Sequence, residues 1–352
     1  MKKTLEKPFE YLKRKDGSAY SPETIKNWYK ARTYVLDKLK NVAMGPGSKA
    51  HLNLVVTSDT PVMLSVVRQA ALLAHFPNFD ETKGQNRSII TLVSKNPKIL
   101  EELAKEEYLC NLLTYCKYSA FGATPIHLDS YIDIELQIVN DWQDIANQNT
   151  IIMSEKELET FLQTKKENEV YSIDTRRAVL TNYIYSIGSL IDNLPAENIH
   201  DPHRYGMALR VFQNKMPKRS IPALIEPAKW ETDQISVKNG LSNVFCADCY
   251  DLRSAFCHEE NIESLSKCEH ARWVVEKLIM GFRPLNQQER IHDGRLFGEE
   301  KKQYRSQLKK NPSDPVHIDL CSYADLRRIN PDDLKYDSFL MMAIPMIQNH
   351  IR

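Results

Sequence analysis

The segment CEHARW, residues 268–273, places a thiol, a carboxylate, an imidazole, a guanidinium and an indole next to one another. On an α-helix, side chains three or four positions apart share a face, so Cys268 lies beside Arg272 and Glu269 beside Trp273. Taken alone, the pattern is typical of an amphipathic helix, with Trp273 packed inward and His270 half buried. A nucleophilic triad is not indicated, because the sequence has no nucleophile elbow and no glycine turn of the oxyanion type.

A second candidate site is the turn TSDTPV, residues 57–62, which follows a short apolar run. A dinucleotide fold normally has G-x-G-x-x-G here, so that backbone amides approach a pyrophosphate at a helix N-terminus. Ser58 and Thr60 remain candidate phosphate ligands, whereas Asp59 would repel a phosphate. No acid at Ser94 or Lys95 is available to hold a ribose diol. We therefore expect a scaffold whose dinucleotide site is lost or altered, and no bound cofactor.

The cysteines raise the question of a metal site. Zinc prefers four ligands, usually as two closely spaced pairs, and only Cys246 and Cys249 form such a pair. The other candidates, which are not arranged as a second pair, are Cys257, His258, Cys268 and His270. Buried thiols without metal are the preferred interpretation. Seven cysteines is an odd number, which favours reduced thiols in a cytoplasmic protein.

Length and charge limit the classes of function. The chain has 352 residues, which predicts about two domains at roughly 150 residues each. A formal charge of +1 gives no overall case for binding nucleic acid or an anionic membrane. No apolar run approaches the roughly 18 residues of a membrane span, and the N-terminus has no signal core. The basic run in residues 301–310 is typical of a solvated helix face.

Hydrophobic periodicity predicts three regions. Residues 1–50 form an arm whose helix begins after Ser21 and carries one apolar stripe. Residues 51–260 alternate short apolar runs with helical stretches, which indicates an α/β domain with a mainly parallel sheet. Residues 261–352 are mainly helical. The predicted strands are residues 52–56, 88–93, 131–139, 169–173, 221–226 and 243–247. Ligands of such sheets bind at the carboxyl ends of the strands, here near residues 57–60.

The order of motifs in the C-terminal region resembles the Ryr domain, the module named for its repeats in ryanodine receptors. The helix CEHARWVVEKLIMGFRP, the segment HIDLCSYADLRRINPDDLKYD and the apolar run SFLMMAIPMI follow that family's order. The matching positions are Glu269, His270, Trp273, Gly281, Phe282, Leu320, Tyr323, Leu326, Tyr336 and Asp337. One departure is the long insert between Pro284 and Pro315.

The middle region is similar to nucleotide-binding domains that regulate potassium transport, in residues 51–59 and 203–227. These domains adopt a Rossmann-like fold and pair through it. Together with the arm's apolar stripe, which needs a surface to cover, this resemblance predicts a homodimer.

The two resemblances predict a cytoplasmic ligand-sensing or regulatory protein that binds a nucleotide-like small molecule and is not an enzyme. In the pocket that the Ryr resemblance implies, Trp273 and Tyr323 would stack on the ligand and Arg283 would hold an anionic group. Hydrogen bonds would come from Glu269, His270 and His317. One alternative is a nucleotide-processing or NAD-dependent enzyme at the strand ends near Ser58 and Thr60, with His127 or Asp174 as acid–base candidates. Another alternative is a protein-interaction scaffold without a small-molecule ligand.

Overall fold

The computed structural model describes residues 7–14, 17–105, 109–124, 126, 131–141, 149–188, 237–311 and 313–351. Its centre is a five-stranded sheet in the order β3-β4-β2-β1-β5. The strands are β1 (Asn53–Val56), β2 (Ser88–Val93), β3 (Lys117–Ala120), β4 (Ile134–Val139) and β5 (Thr150–Met153). Every pairing is parallel, so the predicted Rossmann-like α/β class is confirmed. Because the order reverses beside β1, the switch point lies between the carboxyl ends of β1 and β5.

Helices cover the sheet and form the C-terminal region. The helices that precede β5 in the chain are α1 (Pro22–Leu39), α2 (Pro61–Leu73), α3 (Ile99–Lys105) and α4 (Cys110–Tyr115). The next group is α5 (Glu155–Gln163), α6 (Glu167–Tyr171), α7 (Arg176–Gly188), α8 (Val237–Asp248) and α9 (Tyr250–Arg253). The last group is α10 (Ile262–Ile279), α11 (Gln287–Arg295), α12 (Gly298–Lys310), α13 (Tyr323–Ile329) and α14 (Leu334–Ile351). In the described part of the chain, no helix is both long enough and apolar enough to cross a bilayer.

Two predicted strands are wrong, and two observed strands were not predicted. Residues 169–173 fall in and just after α6, where the Glu169 side chain accepts a hydrogen bond from the backbone of Lys166 and so fixes a helix start. Residues 243–247 lie in α8. The prediction failed because a short apolar run has the same hydrophobic pattern in a buried helix and in a strand. The unpredicted strands, β3 and β5, have only four residues each. The predicted strand at residues 221–226 lies outside the described residues.

The arm folds onto its own chain. The Ser21 hydroxyl accepts a hydrogen bond from the Thr24 amide at 3.1 Å, as expected of the predicted N-cap. Helix α1 then packs along α2, and the guanidinium of Arg68 lies 4.2 Å from the ring centre of Trp28. Trp28 is buried with most of the apolar stripe, and Ile25 and Leu36 are partly buried against the same core. The stripe is therefore covered within the chain and does not require a second copy.

The C-terminal helices share the core of the sheet region. Helix α10 packs against α14 and also contacts α2 and α4, and α14 packs against α7. One cluster of buried apolar side chains extends from Phe9 to Ile344. Helix α10 thus runs between the α/β layers and the last helix, which places CEHARW where the two regions meet. The division at residues 50 and 260 stays a prediction.

Candidate functional site

CEHARW lies in the middle of α10, and its side chains point to three different environments. The first is the interior, where the Glu269 carboxylate accepts hydrogen bonds from Arg272 at 2.8 Å and from Arg253. Burial alone would raise the pKa of Glu269, but the two guanidinium groups lower it to about 2. Arg272 also pairs with Glu276 at 2.6 Å, which in turn binds Lys277 at 2.8 Å. Glu269 is therefore committed to a buried ionic network within the protein.

The second environment is an aromatic cluster that joins α10 to the later segments. The indole of Trp273 stacks on the His270 ring at 6.0 Å and meets the His317 ring edge-on at 4.8 Å. Tyr323 contacts the same His270 ring edge-on at 5.6 Å. The structure thus brings together four of the six pocket residues that were predicted from the sequence. In the structure they pack mainly against one another.

His270 is held at both ring nitrogens. Its Nε2 donates to the Cys321 carbonyl at 3.0 Å, and its Nδ1 lies 3.5 Å from the Asp337 carboxylate. Burial alone would lower the pKa of His270, but its interactions with Asp337 and Cys321 raise it well above 6.5. Burial and the nearby lysines lower the pKa of His317, so that ring is neutral. The cluster therefore contains one charged and one neutral imidazole.

Arg283 lies apart from this cluster. Its guanidinium binds the Glu289 carboxylate at 2.7 Å and the Asp314 carboxylate at 2.7 Å. Both acids belong to the insert that separates the two matching motifs. The Arg283 side chain thus connects the insert to the end of α10, and two carboxylates balance its positive charge.

The third environment is a cavity of about 440 Å³ between α10 and the loop that follows α2. Small-molecule sites usually enclose about 300–1,000 Å³, so this volume suits a compact ligand. Of the six predicted pocket residues, His270 is the one that lines it. The residues around the cavity include Lys49, Phe76, Asn78, Phe79, Asp80, Glu81, Lys83, Gln85, Asn86, Tyr131, Lys267, Cys268 and His270.

The outer wall of the cavity is the loop of residues 76–86, which is braced by hydrogen bonds. Asp80 and Gln85 exchange two backbone hydrogen bonds of 3.1 Å, which close the tip of the loop. The side-chain amide of Asn78 donates a hydrogen bond to the Ala50 carbonyl at 2.6 Å, and the side-chain amide of Asn86 donates one to the backbone carbonyl of Asn78 at 3.0 Å. Asn86 itself has a φ of 62°, a left-handed conformation that asparagine tolerates. These hydrogen bonds make the loop an ordered part of the fold.

Glu81 connects this loop to the C-terminal region. Its Oε1 accepts a hydrogen bond of 2.7 Å from the Tyr323 amide at the first turn of α13. A carboxylate at that position interacts favourably with the positive end of the helix. Burial nevertheless raises the pKa of Glu81. The cavity thus has one wall linked to α13 through Glu81 and the other linked to α14 through His270.

The chemical character of the cavity is mixed. Phe79 supplies half-buried aromatic surface, and Lys49, Lys83 and Lys267 lie at exposed positions around the cavity. Lys83 pairs with Asp80 at 3.2 Å and Lys267 pairs with Glu263 at 3.0 Å. Tyr131 and the rest of the lining complete a surface on which an apolar ring and an anionic group can both be bound.

The strand ends form the second predicted site. The hydroxyl oxygens of Ser58 and Thr60 are buried and have no hydrogen-bond partner among the described residues. Asp59 accepts a hydrogen bond from the Ser94 hydroxyl, which fixes a negative charge between the ends of β1 and β2. This charge disfavours a phosphate at the first turn of α2.

The acid–base candidates of the enzyme alternative are placed as follows. Asp174 lies at an exposed position and binds the Arg176 guanidinium at 2.9 Å, which lowers the pKa of the carboxyl group. His127 lies outside the described residues.

The predicted cysteine pair lies in and just after α8. Burial raises the pKa of Cys246 well above 9.0 and that of Cys249 to about 11. The same effect raises the pKa of Cys268 to about 12. These thiols are therefore protonated at neutral pH and are poor nucleophiles. Within the described ranges, no cluster of three or more His, Cys, Asp or Glu side chains has the spacing of a metal site.

Sequence reasoning missed the outer wall of the cavity. The segment FPNFDETKGQN, residues 76–86, is rich in turn formers and longer than the roughly 2–6 residues usual between a helix and the next strand. That excess length is the signal that could have indicated a structured loop here.

Comparison with protein-family models, curated proteins and solved structures finds no match for this chain. The resemblance to Ryr domains and to potassium-transport regulatory domains rests on the sequence motifs and stays a prediction.

Proposed function

We propose that this chain is a ligand-sensing regulatory protein whose cavity between α10 and the 76–86 loop binds a nucleotide-like small molecule. The observation that carries the proposal is the position of the cavity, which has one wall from the α/β region and the other from the C-terminal helices. A ligand that contacts both walls stabilises one relative arrangement of the two regions over alternative arrangements. Such differential contact is what a sensor requires.

The lining favours an anionic molecule with a planar ring. Lys49 can hold a phosphate by charge-assisted hydrogen bonds, and so can Lys83 and Lys267, whose present ion pairs are exposed and weak. The half-buried ring of Phe79 can pack against a base. The acids beside them can accept hydrogen bonds from sugar hydroxyls.

Two contacts give the ligand a route to the C-terminal helices. A shift of the loop moves Glu81 relative to the first turn of α13, to which it is hydrogen-bonded. A shift of α10 moves His270 relative to Asp337 on α14. The first contact joins a carboxylate to a backbone amide, and the second joins an imidazole to a carboxylate. Both lie in largely buried surroundings, where a small displacement changes the interaction energy strongly.

We also propose that the chain is not an enzyme. Cys268 is the thiol in the described lining, and its pKa of about 12 keeps it protonated. His270 is tied at both nitrogens, to Cys321 and to Asp337, and so lacks a free position to accept a substrate proton.

The sequence also supports two coarser proposals, a cytoplasmic location and a homodimer. The dimer now rests on the resemblance to potassium-transport regulatory domains, because the arm's apolar stripe is covered by α2. Light scattering at micromolar concentration that gives a 40.7 kDa monomer would contradict the dimer.

A thermal-shift screen with mononucleotides, dinucleotides and cyclic nucleotides tests the proposal. One class of compound is expected to raise the melting temperature, with about 2.7 kcal/mol of stabilisation at 100 times its Kd. Lys83→Ala and Lys267→Ala should each weaken that compound's affinity about tenfold, through loss of a charge-assisted hydrogen bond. Both lysines are exposed, so neither variant should lower the unliganded melting temperature by more than about a degree.

Arg283→Ala is the matched control, because Arg283 is a cation of the same region that does not line the cavity. It should leave the ligand-induced shift intact. The proposal fails if no compound of the panel shifts the melting temperature. It also fails if the shift survives in the two lysine variants and disappears in Ser58→Ala or Thr60→Val, since the ligand would then bind at the strand ends.

A further inference from the structure

A second cavity, of about 300 Å³, lies between the insert helices α11 and α12 and the helix α13. It is separate from the α10 cavity and shares no lining residue with it. We call it the insert groove. Its lining residues are Leu285, Arg290, Asp293, Gly294, Lys301, Arg305, Ile318, Leu320, Cys321, Asp325, Arg328 and Ile329.

The rim of the insert groove is cationic. Four basic side chains surround it, and two of them contact the same acid, Asp293. Arg305 donates two hydrogen bonds of 2.6 and 2.8 Å to the Asp293 carboxylate, and the Lys301 ammonium lies 3.5 Å from it. Arg328 pairs with Asp325 at 3.0 Å at an exposed position. Arg290 uses its Nε to bind the Leu285 carbonyl at 3.0 Å, and its side chain is exposed. Two carboxylates against four cations leave an excess of positive charge over the groove.

The groove has apolar side chains in its lining, and an exposed aromatic residue lies close to it in the sequence. Leucine and isoleucine side chains from three segments line the floor. Phe297, which immediately precedes α12 and lies four positions before the groove residue Lys301, is 78% exposed. Ile291 on α11 is 49% exposed. A large aromatic side chain left in water beside a pocket is the usual anchor of a protein interface.

We propose that the insert groove binds an acidic segment of another protein, with an apolar side chain of that segment packed beside Phe297. Charge complementarity selects the occupant: carboxylates of the partner would meet Arg290 and Arg328, the two groove cations whose guanidinium groups are most exposed. The exposed phenyl ring and the apolar floor add a hydrophobic contact that a small inorganic anion would not use. This surface is independent of the proposed function of the α10 cavity.

Peptide display against the purified full-length chain tests the proposal. Selected peptides are expected to be enriched in Asp and Glu together with a leucine or an aromatic residue. Binding of a fluorescein-labelled selected peptide is then measured by anisotropy at about 0.15 M salt, where weak long-range attraction is screened. The double variant Arg290→Glu with Arg328→Glu should weaken binding at least tenfold, and Phe297→Ala should weaken it about fivefold.

The control is the double variant Lys302→Glu with Lys310→Glu, which changes the net charge equally at exposed positions of α12 outside the groove. It should change the affinity less than twofold. The proposal is overturned if selected peptides lack acidic residues, or if the control weakens binding as much as the groove variant. It is also overturned if inorganic phosphate displaces the peptide at submillimolar concentration, because the groove would then be a small-anion site.

Discussion

Replacing Glu269 by glutamine removes one charge from the buried ionic network of α10 while preserving the shape of the side chain. The carboxylate is fully buried and binds two guanidinium groups, Arg253 and Arg272. Its pKa falls from an ordinary value of 4.5 to about 2 in the folded protein, and each pH unit corresponds to about 1.4 kcal/mol. The charged form therefore stabilises the fold by about 3 kcal/mol at neutral pH. This agrees with the roughly 3–5 kcal/mol usually lost when one partner of a buried pair is removed.

Equilibrium urea denaturation at neutral pH measures this loss as a lower midpoint. Because the folded-state pKa is depressed, the stabilisation is present above pH 4.5 and is lost as the pH falls towards about 2. The difference between wild type and Glu269→Gln should therefore shrink in acid. Glu263→Gln is the control on the same helix, since Glu263 forms a half-exposed pair with Lys267 at 3.0 Å and should cost less than about 1 kcal/mol. If Glu269→Gln behaved like the control, the buried network would not hold α10 in place.

Two further predictions concern the arm and the thiols. Trp28→Ala should cost about 3–5 kcal/mol of unfolding free energy, independently of protein concentration, because the indole is buried against Arg68 of the same chain; a loss that appeared only on dilution would point to an arm exchanged between copies. Native protein treated with iodoacetamide at mildly alkaline pH should carry no label on Cys268, whose pKa is about 12, until denaturant is added; rapid labelling in the native state, detected by peptide mass spectrometry, would contradict the burial.

The elements with strong local signals were predictable from the sequence. The first two parallel strands and the helix from Pro61 follow from apolar runs bounded by turn formers. Strand β3 was not predictable, since KYSA is polar and short and depends on its pairing with β4 and on a bridge between Tyr118 and Ile126. The segment at 243–247 became a helix because tertiary packing decides between helix and strand for a short apolar run.

The candidate site was predictable only in part. The motif order indicated that His270, Trp273, His317 and Tyr323 belong together, and the structure places their rings in contact. It could not indicate which residues face a cavity, because neighbours on one helical turn point in different directions. The wall supplied by Glu81 and its loop is far away in sequence, and only the fold brings it to α10.

Hydrogen–deuterium exchange with and without the best nucleotide from the thermal screen tests the central claim most directly. Backbone amides exchange more slowly where a ligand stabilises the local structure. We predict slower exchange in the peptides that contain residues 76–86 and 264–271, and in the first turn of α13, whose Tyr323 amide binds Glu81. Slower exchange confined to residues 57–64 at the start of α2, with no change at α10 or the loop, would contradict the account.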